Sequence, residues 1–207
     1  MIKRIMTLLS VIAIAGFTTN AFAGSFGFGA SGNMANISAS GSEKAGDAAG
    51  TETDVSVTDA TAGNDVMYGS LFAEYTFGES WTFGVDYIPG TADVNSKTLS
   101  RTDASASPYV AQDTGTLKAN AEISDHTTYY LELGKMNGIY GKLGFAQVDI
   151  DVKQTNASGY GTYPNKTLDA WTYGLGYKGE MGENGYFKVE GFVYDYDSYK
   201  ATSSSAN

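Results

Sequence analysis

Apolar residues recur at every second position through most of this chain, the period of a β-strand with two unlike faces. From Val66 to Phe77 the odd positions read Met67, Gly69, Leu71, Ala73, Tyr75 and Phe77, and the even ones Val66, Tyr68, Ser70, Phe72, Glu74 and Thr76. One face is apolar and the other mixed. The pattern resumes after Gly78-Glu79-Ser80 with Trp81, Phe83, Val85 and Tyr87 against Thr82, Gly84, Asp86 and Ile88, which predicts a tight hairpin. A second hairpin sets Tyr129, Leu131 and Leu133, then Ile139, Gly141, Leu143 and Phe145, on the apolar side of a turn at Met136-Asn137-Gly138. A third sets Trp171, Tyr173, Leu175 and Tyr177, then Phe187, Val189, Gly191 and Val193, around residues 179–185.

The N-terminus is built differently. Lys3 and Arg4 precede an apolar run from Ile5 to Phe17, followed by Thr18-Thr19-Asn20 and Ala21-Phe22-Ala23. A positive start, an apolar stretch too short to span a bilayer and an A-x-A site form the pattern of a secretory signal peptide over 1–23, with a mature chain starting at Gly24. The next residues, GSFGFGASG, contain GxGxxG, a spacing that carries weight only between a strand and a helix. No helical stripe follows it in Asn33–Gly41, so these glycines read as the small positions of a first strand, with Phe26 and Phe28 on its apolar face. An exported chain with no cysteine has no disulfides to hold it, and its 26 Gly, 15 Tyr and 10 Phe suit a closely packed sheet. The net charge of −10 becomes −12 once Lys3 and Arg4 leave, which argues against nucleic acid as a partner.

Charge decides which face meets lipid. Glu74, Asp86, Glu132, Lys142, Lys178, Lys188 and Glu190 all fall on the less apolar face of their strands. A basic side chain facing lipid at mid-depth costs about 2–4 kcal/mol, so that face is expected inside a barrel as an interior charge network. The other face carries Phe26, Phe28, Tyr75, Phe77, Trp81, Phe83, Tyr129, Phe145, Trp171, Tyr173, Tyr177 and Phe187, expected to face lipid. Short turns alternate with long polar segments near 41–64, 90–115 and 154–167, the asymmetry of outer-membrane barrels.

In this alternation and loop pattern the chain resembles the small outer-membrane β-barrel family of Gram-negative bacteria, the OmpX and OmpA transmembrane-domain type. The resemblance implies an all-β, antiparallel up-and-down transmembrane barrel, eight-stranded when complete. Seven strands are read here, near 25–38, 66–77, 81–90, 117–134, 139–153, 168–178 and 186–200. Because such barrels have even strand numbers, the barrel domain 24–207 is expected to lack a C-terminal strand.

Three finer expectations follow. A three-residue loop at Met136-Asn137-Gly138 pairs Lys135 with Ile139 and sets Glu132 opposite Lys142, predicting an interior ion pair between them. Tyr68, Phe72, Tyr130, Tyr140, Tyr186 and Phe192 point inward with the charges, which favours a filled core over a water-filled lumen. Val148, Ile150 and Val152 fall on the opposite phase from Phe145, either through a bulge or because the strand has left the bilayer; the second is preferred.

Chemistry-bearing residues are sparse. His126 is the one histidine and stands two residues before Thr128, a spacing that resembles the His-x-Ser pair of lipid A deacylases with threonine in the serine place. An exposed histidine high on a strand is the favoured reading, and no catalytic site is assigned. Glu43, Asp47, Glu52, Asp54, Asp59 and Asp65 lack the Asp-x-Asp-x-Asp-Gly pattern of a calcium loop, so no metal or cofactor is expected. The Asn-x-Ser/Thr sites at Asn36, Asn156 and Asn165 carry no meaning in a bacterial chain. The expected function is a monomeric barrel with a structural, surface or adhesion role and no open pore, whose partners are outer-membrane lipid, lipopolysaccharide and an extracellular ligand of unidentified chemistry. The alternatives are a narrow channel for small solutes and a lipid-modifying enzyme.

Overall fold

The computed structural model describes residues 13–21, 24–45, 56–78, 80–103, 113–155 and 164–198. They form eight strands: β1 (Ala13–Ala21), β2 (Gly24–Ala45), β3 (Ser56–Phe77), β4 (Trp81–Asp103), β5 (Asp113–Met136), β6 (Ile139–Thr155), β7 (Lys166–Met181) and β8 (Gly185–Tyr196). Each pairs antiparallel with its neighbours in sequence, and β1 pairs with β8, so the sheet closes into an up-and-down barrel. No described helix is long and apolar enough to cross a membrane.

The strand count is one more than the alternation gave. The additional strand, β1, lies inside the stretch read as an export segment, where apolar residues fill both phases up to Phe17 and leave no clear period-two signal. Its partners are Gly24–Gly32 of β2 and Gly185–Lys188 of β8. The barrel therefore closes through residues that the sequence pattern assigns to an export segment.

The connection between β5 and β6 differs from the expected three-residue loop. Asn137 (φ 52°) and Gly138 (φ 85°) form a two-residue turn with Met136 opposite Ile139. Positive φ at both central positions is the type I′ geometry whose twist matches the strands it joins. Gly134 (φ 68°) and Lys135 then stand opposite the single residue Tyr140, a bulge that restores the register. Glu132 thus lies opposite Lys142. The register is the expected one, reached by a different turn.

Strands run well into the segments read as polar loops. β2 and β3 pair continuously from Gly24/Phe77 to Ala45/Ser56, whereas β3 and β4 pair only from Phe77/Trp81 to Leu71/Tyr87. The β2–β3 hairpin therefore projects past its pairing with β4. Ser, Thr, Ala and Asp complete these ladders as well as apolar residues do, because the ladder is a backbone structure, but they leave no alternation to read.

The phase change after Phe145 also has a structural answer. β6 runs without irregularity against β7 from Ile139 to Ile150, so Val148 continues the inward phase of Lys142 and Ala146, and it is buried beside Leu168. A bulge does occur at this level, but on β5, where Asp125 (φ 50°) and His126 stand opposite Val148. The apolar residues have not turned outward; the interior has become apolar.

Candidate functional site

The barrel interior holds the titratable cluster. β3, β5, β6, β7 and β8 deliver Glu74, Glu132, Lys142, Lys178, Lys188 and Glu190 to one level because each occupies the inward phase of its strand. β4 adds Asp86. All seven are buried or half-buried, and Lys188 retains only 1 % of its accessible surface.

Lys188 stands at the centre, donating to the carboxylates of both Glu74 and Glu132. Glu74 also accepts from Lys178 Nζ at 2.6 Å and from the Tyr130 hydroxyl at 3.2 Å. A second group joins Lys142 Nζ to Glu190 Oε2 at 2.7 Å, with the Tyr140 hydroxyl donating to the other oxygen of Glu190. The expected pair of Glu132 with Lys142 is not formed, although the two residues are cross-strand neighbours. In a closed barrel a long side chain reaches across the axis, and Lys142 finds a carboxylate on β8, while Glu132 finds an ammonium there. No adjacent-strand argument sees such a partner.

Aromatic rings insulate these charges. Lys142 Nζ lies 4.1 Å from the Tyr130 ring centre and Lys178 Nζ 3.9 Å from that of Tyr186, both within cation–π range. The rings fit because glycines face them. A Cβ built on Gly84 would stand 2.2 Å from the Tyr130 ring, one on Gly176 2.3 Å from Tyr140, and one on Gly27 2.6 Å from the Tyr186 hydroxyl. Gly27 is a glycine of the GSFGFG stretch, so that motif serves ring packing.

Asp86 takes a different partner, accepting from Ser70 Oγ at 2.7 Å. Ser70 bonds in turn to Ser31, and Asn33 Nδ2 donates to Ser31 Oγ at 2.9 Å. Between Asn33, Asp86, Lys142 and Glu190 the interior leaves a gap of about 10 Å³, enough for about one water. At the short-turn mouth, below Glu132 and Lys178, a polar vestibule of about 200 Å³ is lined also by Thr76, Ser80, Thr82, Lys135 and Tyr140.

The upper interior is apolar and aromatic. Ala35, Ala146, Ala170, Phe192 and Tyr194 form a buried cluster with Ile37, Val66 and Tyr196 against it. His126 belongs here and is buried, contrary to the exposed position expected of it. The β5 bulge turns it inward, where Nε2 lies 2.6 Å from the Tyr196 hydroxyl and the ring meets Tyr194 edge-on at 5.1 Å. Thr128 Oγ1 is bonded to the Tyr194 hydroxyl at 2.9 Å. His126 and Thr128 therefore bond to different tyrosines, without the mutual hydrogen bond that base and nucleophile require. Tyr194 and Tyr196 were not singled out from sequence, although their alternation with Asp195 and Asp197 places the rings on the inward phase.

On the outer wall, ten of the twelve aromatic side chains read as lipid-facing are exposed, with Trp171 at 69 %. The other two, Tyr75 and Phe145, are half-buried because their rings lie 4.7 Å from Phe26 and 5.8 Å from Trp171. Above them the outer wall turns polar: Gln147 Nε2 donates to Asp169 at 3.0 Å, Thr167 to Asp149 at 2.5 Å and Asn36 to Asp65 at 2.7 Å. Asp65 is the one acidic residue of the calcium candidates whose side chain is described. No three metal-ligating side chains converge among the described residues.

Comparison of the chain with protein-family models, with curated proteins and with solved structures finds no match.

Proposed function

We propose that this chain is an integral outer-membrane β-barrel of a Gram-negative bacterium, similar in kind to the OmpX and OmpA transmembrane-domain proteins, exported by residues 1–23 and lacking an open pore. The observation that carries the reading is its sidedness: a band of exposed rings and aliphatics encloses buried, mutually paired charges. In water that arrangement leaves a large apolar surface uncovered and places charges where solvation is lost. In a bilayer the apolar outer wall becomes favourable, and the axis becomes the less costly place for the charges. β3 from Met67 to Phe77 has the length of the roughly 9–11 residues with which a tilted strand crosses the hydrocarbon.

The role that fits a filled interior is structural or surface-exposed, with the long hairpins beyond the band available for adhesion. Lipid and lipopolysaccharide are the partners this reading assigns to the outer wall. In reconstituted planar bilayers the protein is expected to give no stepwise current. Regular current steps would favour the second reading, a narrow channel, for which the vestibule at the short-turn mouth is the supporting feature.

A further inference from the structure

The vestibule at the short-turn mouth carries charged groups that the pairing of the axis leaves over. Its walls come from β3 to β7 and from the β3–β4 turn, joined by described ladders at this height, so it stands apart from the closure of the barrel between β8 and β2. Two backbone ties fix its rim: Gly134 N–H donates to the Ser80 carbonyl at 3.2 Å, and Lys178 N–H to the Gly138 carbonyl at 2.8 Å.

At the floor, Glu132 is 4 % exposed and gives Oε1 to Lys188, while its Oε2 accepts no hydrogen bond among the described residues. At the rim, Lys135 is exposed and has no carboxylate partner among the described residues. Strict alternation from Glu132 would point Lys135 outward. The β5 bulge, with Gly134 at φ 68°, sets Gly134 and Lys135 together opposite the inward-facing Tyr140 and so brings the lysine into the vestibule. A carboxylate oxygen and an ammonium thus line one cavity without pairing with each other. Beside them the Thr76 and Thr82 hydroxyls bond to each other at 3.0 Å, which uses one of their O–H groups and leaves the other to donate. The cavity, about 200 Å³, is smaller than the roughly 300–1,000 Å³ of pockets that take drug-sized ligands, and Tyr140 is the one ring in its described walls.

We propose that the vestibule binds a free α-amino acid with a small side chain, its ammonium on Glu132 Oε2 and its carboxylate on Lys135, with the threonine pair donating to the carboxylate. A simple anion would leave Glu132 facing it at the floor, and a simple amine would meet the uncompensated charge of Lys135; a zwitterion answers both. Burial of Glu132 strengthens the ammonium contact, because a charge pair gains where water is excluded. Lys178 stays with Glu74 at 2.6 Å throughout, so binding requires no rearrangement of the axis.

The test is an NMR titration of the isotope-labelled protein, folded in detergent micelles, with alanine, acetate and methylammonium as separate probes. Alanine is expected to give saturable shifts confined to the vestibule, at the amides of Ser80, Thr82, Glu132 and Lys135. Acetate and methylammonium each carry half of the recognised pair and should bind about tenfold more weakly. This comparison is made on the parent protein and stands whether or not a variant folds. Lys135→Gln removes no described ion pair, so the rest of the spectrum should persist while alanine binding weakens about tenfold and methylammonium binding does not weaken. Acetate or methylammonium binding as tightly as alanine would reduce the vestibule to a site for a single charge and overturn the proposal. So would the absence of saturable shifts, shifts confined to other parts of the barrel, or undiminished alanine binding by a folded Lys135→Gln protein.

Discussion

Two levels of the same barrel solve opposite solvation problems. Around Leu143 the outer wall is apolar and the axis holds Lys142, Lys188, Glu74, Glu132 and Glu190; around Gln147 the outer wall carries Gln147, Asp149 and Asp169, and the axis holds Val148, Leu168 and Tyr194. β6 passes through both levels without a break in its pairing to β7, whereas β5 crosses the same height with a bulge at Asp125. Along β6 the inversion is written in which residue type occupies each phase. Under the proposed membrane placement it marks the height at which the surroundings of the outer wall change from hydrocarbon to water, and at both levels the interior is the complement of the exterior.

Several substitutions sharpen or break this contrast. The largest effect is expected at the charged axis. Lys188→Met leaves Glu74 and Glu132 without their shared ammonium, and removing one partner of a buried ion pair costs about 3–5 kcal/mol. Urea unfolding from lipid vesicles measures it, and a loss below about 1 kcal/mol would mean that water already solvates the axis. On the outer wall, Leu143→Arg is expected to cost about 2–4 kcal/mol in the same assay. A smaller loss of about 1–3 kcal/mol is expected for Gly176→Ala, whose methyl group meets the Tyr140 ring, and near-UV circular dichroism should report the displaced tyrosine. Smallest is Gln147→Arg, on the strand and face of Leu143 but above the apolar band, expected to stay within about 0.5 kcal/mol of the parent. Equal costs for Leu143→Arg and Gln147→Arg would erase the boundary between the two levels.

The apolar band was legible in the sequence because its apolar residues recur at alternate positions along each strand. Trp81, Phe83, Val85 and Tyr87 could be assigned to one face with no knowledge of the fold. The axis was legible by residue type and not by pairing. Glu132 and Lys142 do face each other across β5 and β6, yet each finds its partner on β8, a relation that exists only once the ring closes. The upper level was least legible. Polar residues outside and scattered apolar residues inside dilute the alternation, and His126 reaches the interior through a bulge at Asp125 that no glycine marks. β1 was invisible as a strand because apolar residues occupy both of its phases up to Phe17.

The central claim is that the ring-bearing face contacts acyl chains, and the chain's two tryptophans report on it directly. Trp81 lies near the short-turn rim and Trp171 near the upper edge of the band, both exposed on the outer wall. Single-tryptophan variants, Trp81→Phe and Trp171→Phe, folded into vesicles with brominated acyl chains should each show strong fluorescence quenching by the bromines and little by aqueous iodide. Quenching of both by iodide, with no response to brominated lipid, would contradict the account.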